Sequence, residues 1–258
     1  MIKKLYLNEE FILSLYKKYK WNLYGHWKYY RKHKKKYGRQ QDIADCEICY
    51  MLIRETKPRV VVEISCGKGH STQSILKALY DNRVGHLHSF EINPRHLEVA
   101  KQNAIDLGFE DLFSFYLGDV KVTFPKIIEQ IGTIDYLLID SDHSEDFGYW
   151  WKNNVLKYVK KNGLVSVHDI RWYNNSPYHP TYGEFKAVKE IMKNQDLTSY
   201  FSSPKSLALT WKKPIDVEPP PRIGQYSTLS KKIKRSYWFF KPKQPETFYF
   251  TYKGWQDF

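Results

Sequence analysis

Val60-Val-Val-Glu-Ile-Ser-Cys-Gly-Lys-Gly-His-Ser-Thr72 is the stretch whose reading decides the fold of this 258-residue chain. Its first five residues form a short apolar run rich in β-branched side chains, which predicts a parallel strand buried on both faces. Gly67 and Gly69 then interrupt the pattern. From Ser71 to Leu79 the apolar residues Ile75, Leu76 and Leu79 fall on one face of a helix. A strand, a Gly-x-Gly turn and a helix in that order open a βαβ unit.

The alternation continues downstream. Val84 to Phe90 reads as a strand ending in Glu91, and Asn93-Pro94 as a helix cap with proline at the first helical position, that helix closing at Gly108. Leu112 to Leu117 is a strand ending in Gly118-Asp119, and Val122 to Ile131 a helix closed by Gly132. Ile134 to Ile139 is a strand ending in Asp140, Asp146 to Tyr158 a helix, and Leu164 to Val167 a strand introduced by Gly163 and running into His168-Asp169. Five such units in about 110 residues predict an α/β fold with a doubly wound, mostly parallel sheet. Ligands in such sheets bind beyond the carboxyl ends of the strands. Those ends carry Glu63, Glu91, Asp119, Asp140 and Asp169, a recurrence that packing alone does not require.

The surrounding sequence divides the chain into a helical, basic extension (1–57), a central domain (58–213) and a basic, aromatic extension (214–258). Helical patterns cover residues 8–37 and 41–56, and another runs from Gly183 to Met192, before strands at Ser199–Phe201 and Leu207–Trp211. Cys46 and Cys49 sit in the 41–56 pattern without a second Cys pair, so they read as buried helix residues, not as a redox or zinc motif. The longest apolar run, Ile48 to Ile53, is six residues, against the roughly 18 that span a bilayer. With no signal-peptide core after Met1, a soluble, cytoplasmic protein is the expectation. The net charge of +13 divides as +8 over 1–58, −3 over 59–170 and +8 over 171–258. Basic flanks point to an anionic partner (nucleic acid, a phosphorylated sugar or lipid, or an anionic membrane surface), unless the lysines serve only to solvate the chain.

The Gly-x-Gly turn is not a dinucleotide fingerprint, because position 72 is Thr where a third glycine is required. Nor is there a GxxxxGK[ST] phosphate loop. Glu63 lies four residues before Gly67, where a carboxylate disfavours a pyrophosphate and suits a cation. S-adenosylmethionine offers a sulfonium and an ammonium. Glu91 is then placed for the ribose hydroxyls and Asp119 for the adenine amino group, with Ile92 and Val120 sandwiching the ring. Ser71 and the free N–H groups of the first helical turn suit the cofactor carboxylate. Any one of these residues also serves as a cap or loop carboxylate; the ordered set carries the reading.

On these residues the stretch from Pro58 to Asp169 resembles the class I S-adenosylmethionine-dependent methyltransferases. Val61-Val-Glu-Ile-Ser-Cys-Gly-Lys-Gly-His-Ser-Thr72 is similar to their first motif and Ser89-Phe-Glu-Ile-Asn-Pro94 to their second-strand motif. Tyr136-Leu-Leu-Ile-Asp-Ser-Asp-His-Ser144 is similar to the fourth-strand motif of small-molecule and sugar O-methyltransferases. The resemblance implies a seven-stranded sheet whose last strand is antiparallel, for which Leu207 to Trp211 is the candidate. It also implies a first-motif glycine at the position of Ser65, a substitution that fits if the backbone there stays at negative φ.

An aliphatic hydroxyl needs a base or a metal before it attacks a methyl group. Asp140 and Asp169 end neighbouring strands, expected about 4.8 Å apart, and two carboxylates at that spacing can grip one Mg²⁺-like ion. In the metal-dependent members that the chain resembles, residues matching Asp140, His168 and Asp169 hold the metal and a histidine matching His143 takes the proton. His168 supplies nitrogen where oxygen is expected, which admits Mn²⁺, another transition metal or no metal. The expected activity is methylation of a hydroxyl on a sugar or other small molecule. The competing expectation is a nucleic-acid methyltransferase that uses the basic aromatic flanks.

Overall fold

Strands that are apolar on both sides need helices over both faces, and the arrangement here follows from that requirement. The computed structural model describes residues 7–19, 21–23, 43–168, 181–193, 199–202 and 247–252. In chain order these hold α1 (Glu9–Lys18), α2 (Ile43–Thr56), β1 (Val60–Ile64), α3 (His70–Asn82), β2 (His86–Glu91), α4 (Pro94–Asp106) and β3 (Phe113–Leu117). Then follow α5 (Val120–Ile131), β4 (Ile134–Ile139), α6 (Glu145–Asn154), β5 (Val159–Val167), α7 (Thr181–Met192), β6 (Ser199–Ser202) and β7 (Thr247–Thr251). The sheet has seven strands in the order β3-β2-β1-β4-β5-β7-β6, with β1 to β5 mutually parallel and β7 antiparallel to both its neighbours.

Strand alternation sorts side chains to two cores. Val61, Tyr136, Leu138, Leu164 and Tyr249 face α1, α2 and α3, where they meet Ile12, Leu15, Ile48, Leu52, Ile75 and Leu79. Val62, Ile64, Leu137, Ile139, Val165, Val167, Phe248 and Phe250 face α5, α6 and α7, against Phe124, Ile128, Trp151 and Val188. The N-terminal helices therefore share the core of the sheet. Cys46 and Cys49 are buried on α2, and Tyr136 donates to the Cys49 sulfur at 3.4 Å. Burial first, and nearby carboxylates after it, push the Cys49 thiol up to about 12 despite that hydrogen bond, so it stays protonated. Among the described residues no helix is long and apolar enough to cross a membrane.

Two boundaries and one register position differ from the sequence reading. The antiparallel strand is Thr247–Thr251, beyond residue 213 where the sequence places the domain's end; Leu207 to Trp211 lies outside the described residues. β5 begins at Val159, not after Gly163, because Asn162 takes a left-handed turn (φ 66°) and a register shift against β4 between Ile134 and Tyr136 absorbs the extra residues. The fifth strand ends at Val167 in register with Ile139, so the residue level with Asp140 is His168, not Asp169.

The edge pair β2–β3 carries a polar cluster on the α5 face. His88 Nδ1 lies 3.0 Å from the Tyr116 hydroxyl and His86 Nε2 3.0 Å from the Ser114 hydroxyl. Burial, reinforced by His86 alongside, pulls His88 from 6.5 down to about 4. The unfolded chain thus takes up a proton near pH 6.5 that the folded chain refuses until about pH 4. Stability is full above pH 6.5 and is lost as pH falls through that window. Urea unfolding at pH 7 and pH 5 should show this loss, and His88→Gln should reduce it; an equal loss in both proteins would assign the effect to other groups.

Candidate active site

The turn after β1 is fixed by two buried carboxylates. Glu63 is fully buried, and its oxygens accept from the hydroxyls of Ser71 (2.5 Å), Thr72 (2.8 Å) and Ser89 (2.8 Å). Burial raises its pKa, and the three hydroxyls oppose that shift. Glu91 accepts from the Gly67 amide at 2.8 Å and the Asn93 amide at 2.9 Å. β1, β2 and the start of α3 are thereby tied around one loop. Gly67 (φ 53°) and Gly69 (φ 89°) take left-handed conformations, and a Cβ at Gly69 would sit 3.2 Å from Ala100. Only glycine brings the backbone that close to α4 without strain.

Two expectations change here. The Ser71 hydroxyl points inward to Glu63 and does not face a ligand; the amide N–H groups of the helix start remain the feature suited to an anion. Ser65 does not keep negative φ: it stands at +67°, with its amide on the Phe90 carbonyl and its hydroxyl 3.5 Å from Glu91. Further along the edge, Ile92, just past β2, is 66% exposed, an unusual state for isoleucine, and Val120, past the neighbouring β3, is buried at the start of α5. Asp119 is exposed and caps α5 by accepting from the Lys121 amide at 2.8 Å.

The second half of the site lies past β4 and β5. The Asp140 amide donates to Ile64 and the His168 amide to Ile139, which continues the register one residue beyond the sheet. His168 Nδ1 consequently sits 3.1 Å from Asp140 Oδ1. Its Nε2 faces Asp45 of α2 at 3.6 Å, and Tyr249 of β7 donates to the other Asp45 oxygen at 3.3 Å. Burial would raise Asp140, but His168 and then His143 outweigh it and hold Asp140 below the usual carboxylate range.

His143 approaches the same Asp140 oxygen, with Nε2 3.9 Å from Oδ1. Its Nδ1 lies 2.9 Å from Glu184 Oε2 on α7, and Glu184 Oε1 accepts from Trp151 Nε1 at 2.7 Å. Burial raises the pKa of Glu184 even though His143 and Trp151 pull it down. Asp142 turns away to cap the next helix through Ser144. Asp140 and His143, both read from sequence, are thus together. Asp45 and Glu184 are the members that sequence reasoning missed; each lies on a helix more than 40 positions from its partner, with no local motif to mark it.

A divalent ion on Asp140 and His168 does not fit this arrangement. The hydrogen bond between them engages His168 Nδ1 and Asp140 Oδ1 with each other, and the second nitrogen of His168 faces Asp45 in a ring that is buried. Among the described residues no group of three or more His, Cys, Asp or Glu is disposed to hold a metal. Asp169, the third expected ligand, lies outside the described residues.

Residues 62–170 match the family model described as "Methyltransferase domain". No curated protein matches the chain. Among solved structures, the chain is similar to the O-methyltransferase TomG from Streptomyces achromogenes in complex with S-adenosylmethionine (15% identity, 88% of each chain, TM-score 0.59). It is also similar to an O-methyltransferase from Bacillus cereus in complex with S-adenosylhomocysteine (14% identity, 83% of each chain, TM-score 0.58). A third is the methyltransferase PaMTH1 of Podospora anserina bound to S-adenosylhomocysteine (14% identity, 91% of this chain and 88% of that one, TM-score 0.58). At these identities the likeness is one of fold.

The left-handed serine gives a direct check on the loop geometry. A non-glycine residue in that region costs about 1–2 kcal/mol, so Ser65→Gly should stabilise the fold by about 1 kcal/mol in urea titrations. A clear destabilisation would mean that the Ser65 hydroxyl holds the loop more strongly than the backbone opposes it.

Proposed function

We propose that this chain, a class I S-adenosylmethionine-dependent methyltransferase, methylates a hydroxyl on a sugar or other small molecule, with His143 as the base. The observation that carries the reading is the placement of His143: its Nδ1 is held by a buried carboxylate and its Nε2 faces the carboxyl edge of the sheet beside Asp140. A base held by a third group, with its other nitrogen directed at the site, is the arrangement general-base catalysis needs.

Cofactor binding rests on the other half of the edge. The glycine-bounded turn, the amides at the start of α3, and exposed Ile92 with Val120 fit the aminoacyl and adenosyl parts of S-adenosylmethionine. Asp119 is exposed and within the same edge for the adenine amino group. Glu91 and Glu63 hold that loop through Gly67, Asn93, Ser71 and Thr72. When bound, the cofactor supplies a methyl group on a positively charged sulfur, which leaves as a neutral thioether once the methyl carbon is attacked. His143 Nε2 accepts the hydroxyl proton as the oxygen–carbon bond forms. Asp140, ionised at neutral pH, lies 3.9 Å from that nitrogen and favours the imidazolium so produced. Nothing in this sequence of events is assigned to a metal. The +8 charge of each flank supports an acceptor that carries negative charge, such as a sugar phosphate.

The test is His143→Ala, assayed by S-adenosylhomocysteine release with a panel of sugars and sugar phosphates. Turnover should fall by about 10²–10⁴, while calorimetric affinity for S-adenosylmethionine stays within about twofold. Loss of cofactor affinity instead would place His143 in the cofactor site and contradict the assignment.

A further inference from the structure

Glu184 is fully buried, and a buried carboxylate is costly unless its lone pairs are matched to donors. We infer that Glu184, clamped by Trp151, is the positioning residue that fixes His143 as its Nδ1–H tautomer and so puts the ring lone pair on Nε2, the nitrogen nearer Asp140. The inference rests on the reading of His143 as the base and adds the element that selects its reactive form.

The donor inventory decides the tautomer. The indole N–H of Trp151 can only donate, so Oε1 at 2.7 Å must accept. That bond fixes the rotation of the carboxylate and directs Oε2 at His143 Nδ1, 2.9 Å away. An ionised carboxylate only accepts, so the proton of the neutral ring sits on Nδ1 and the lone pair on Nε2. A second tie acts on the same pair: the Glu184 amide donates to the His143 carbonyl at 3.1 Å. Backbone and side chain of one residue thus hold both ends of the histidine.

The packing of α6 on α7 is built to let Glu184 in. A Cβ at Gly148 would lie 2.9 Å from the Glu184 Cα and 3.2 Å from its carbonyl oxygen and from Ala187 Cβ. Helix backbones meet there directly, and one turn later the fully buried Trp151 reaches the carboxylate. Packing alone asks for an apolar residue at position 184. A carboxylate met by two ring donors is explained by what it does to one of them.

Glu184→Gln tests this, because an amide offers one acceptor oxygen to two donors. Nitrogen-15 spectra of imidazole-labelled protein should show His143 as the Nδ1–H tautomer in the wild type and as a mixture, or the opposite tautomer, in the variant. Turnover should fall at least about tenfold and by no more than the roughly 10²–10⁴ attributable to the base itself, with KM and affinity for S-adenosylmethionine nearly unchanged. Trp151→Phe frees the carboxylate without removing it and should move the spectrum the same way by less. It also decides the matter if Glu184→Gln fails to fold. An unchanged His143 tautomer in either folded variant, with unchanged turnover, would overturn the inference. Failure of the base assignment shows separately, as undiminished turnover in His143→Ala, and leaves the spectra to judge Glu184.

Discussion

A carboxylate removed from water must be matched by donors, and the site depends on how Glu63 meets that condition. It lies within the buried stretch of β1, one residue before its end, and three hydroxyls from α3 and β2 converge on it. The loop between strand and helix therefore has one conformation. Within it the backbone turns left-handed at Ser65, Gly67 and Gly69, so the helix start is presented at the carboxyl edge of the sheet. Glu63 holds the loop through three hydroxyls, one on Oε1 and two on Oε2.

The same condition recurs across the sheet. Asp140 is flanked by two histidines, and each histidine is backed by a buried carboxylate on a different helix: Glu184 of α7 behind His143, Asp45 of α2 behind His168. Register sets this up, since Asp140 and His168 each stand one residue past the paired ends of β4 and β5. The helices then deliver acids from both faces to one edge. This pattern suits holding and moving a proton. His168 turns both its nitrogens to carboxylates, Asp140 and Asp45.

Much of this was legible because it is local. The strand–turn–helix alternation, the cap at Asn93-Pro94 and the acidic strand ends are written in consecutive residues, and Glu63, Glu91, Asp140 and His143 all lie where the alternation puts them. The cap reading of Asp119, which each strand-end carboxylate carries as its bland alternative, is also realised. What escaped depends on contacts between distant segments. Phe248-Tyr-Phe250 looks like part of an aromatic tail until β5 supplies a partner for it. Asp45 sits among residues buried on every side and reads as one polar break in a core helix. Glu184 is one acid in an amphipathic helix, and nothing within α7 indicates that Trp151 and His143 lie opposite. Ser65 shows a different limit: the sequence marks the missing glycine, but only the backbone shows that the left-handed turn was kept without it.

The central claim is that this edge of the sheet binds S-adenosylmethionine and not a dinucleotide. Isothermal titration of the whole chain with S-adenosylhomocysteine, alongside NAD, tests it most directly. The account predicts saturable one-to-one binding of S-adenosylhomocysteine without added metal and no heat of binding for NAD. Saturable binding of NAD with none of S-adenosylhomocysteine would contradict it.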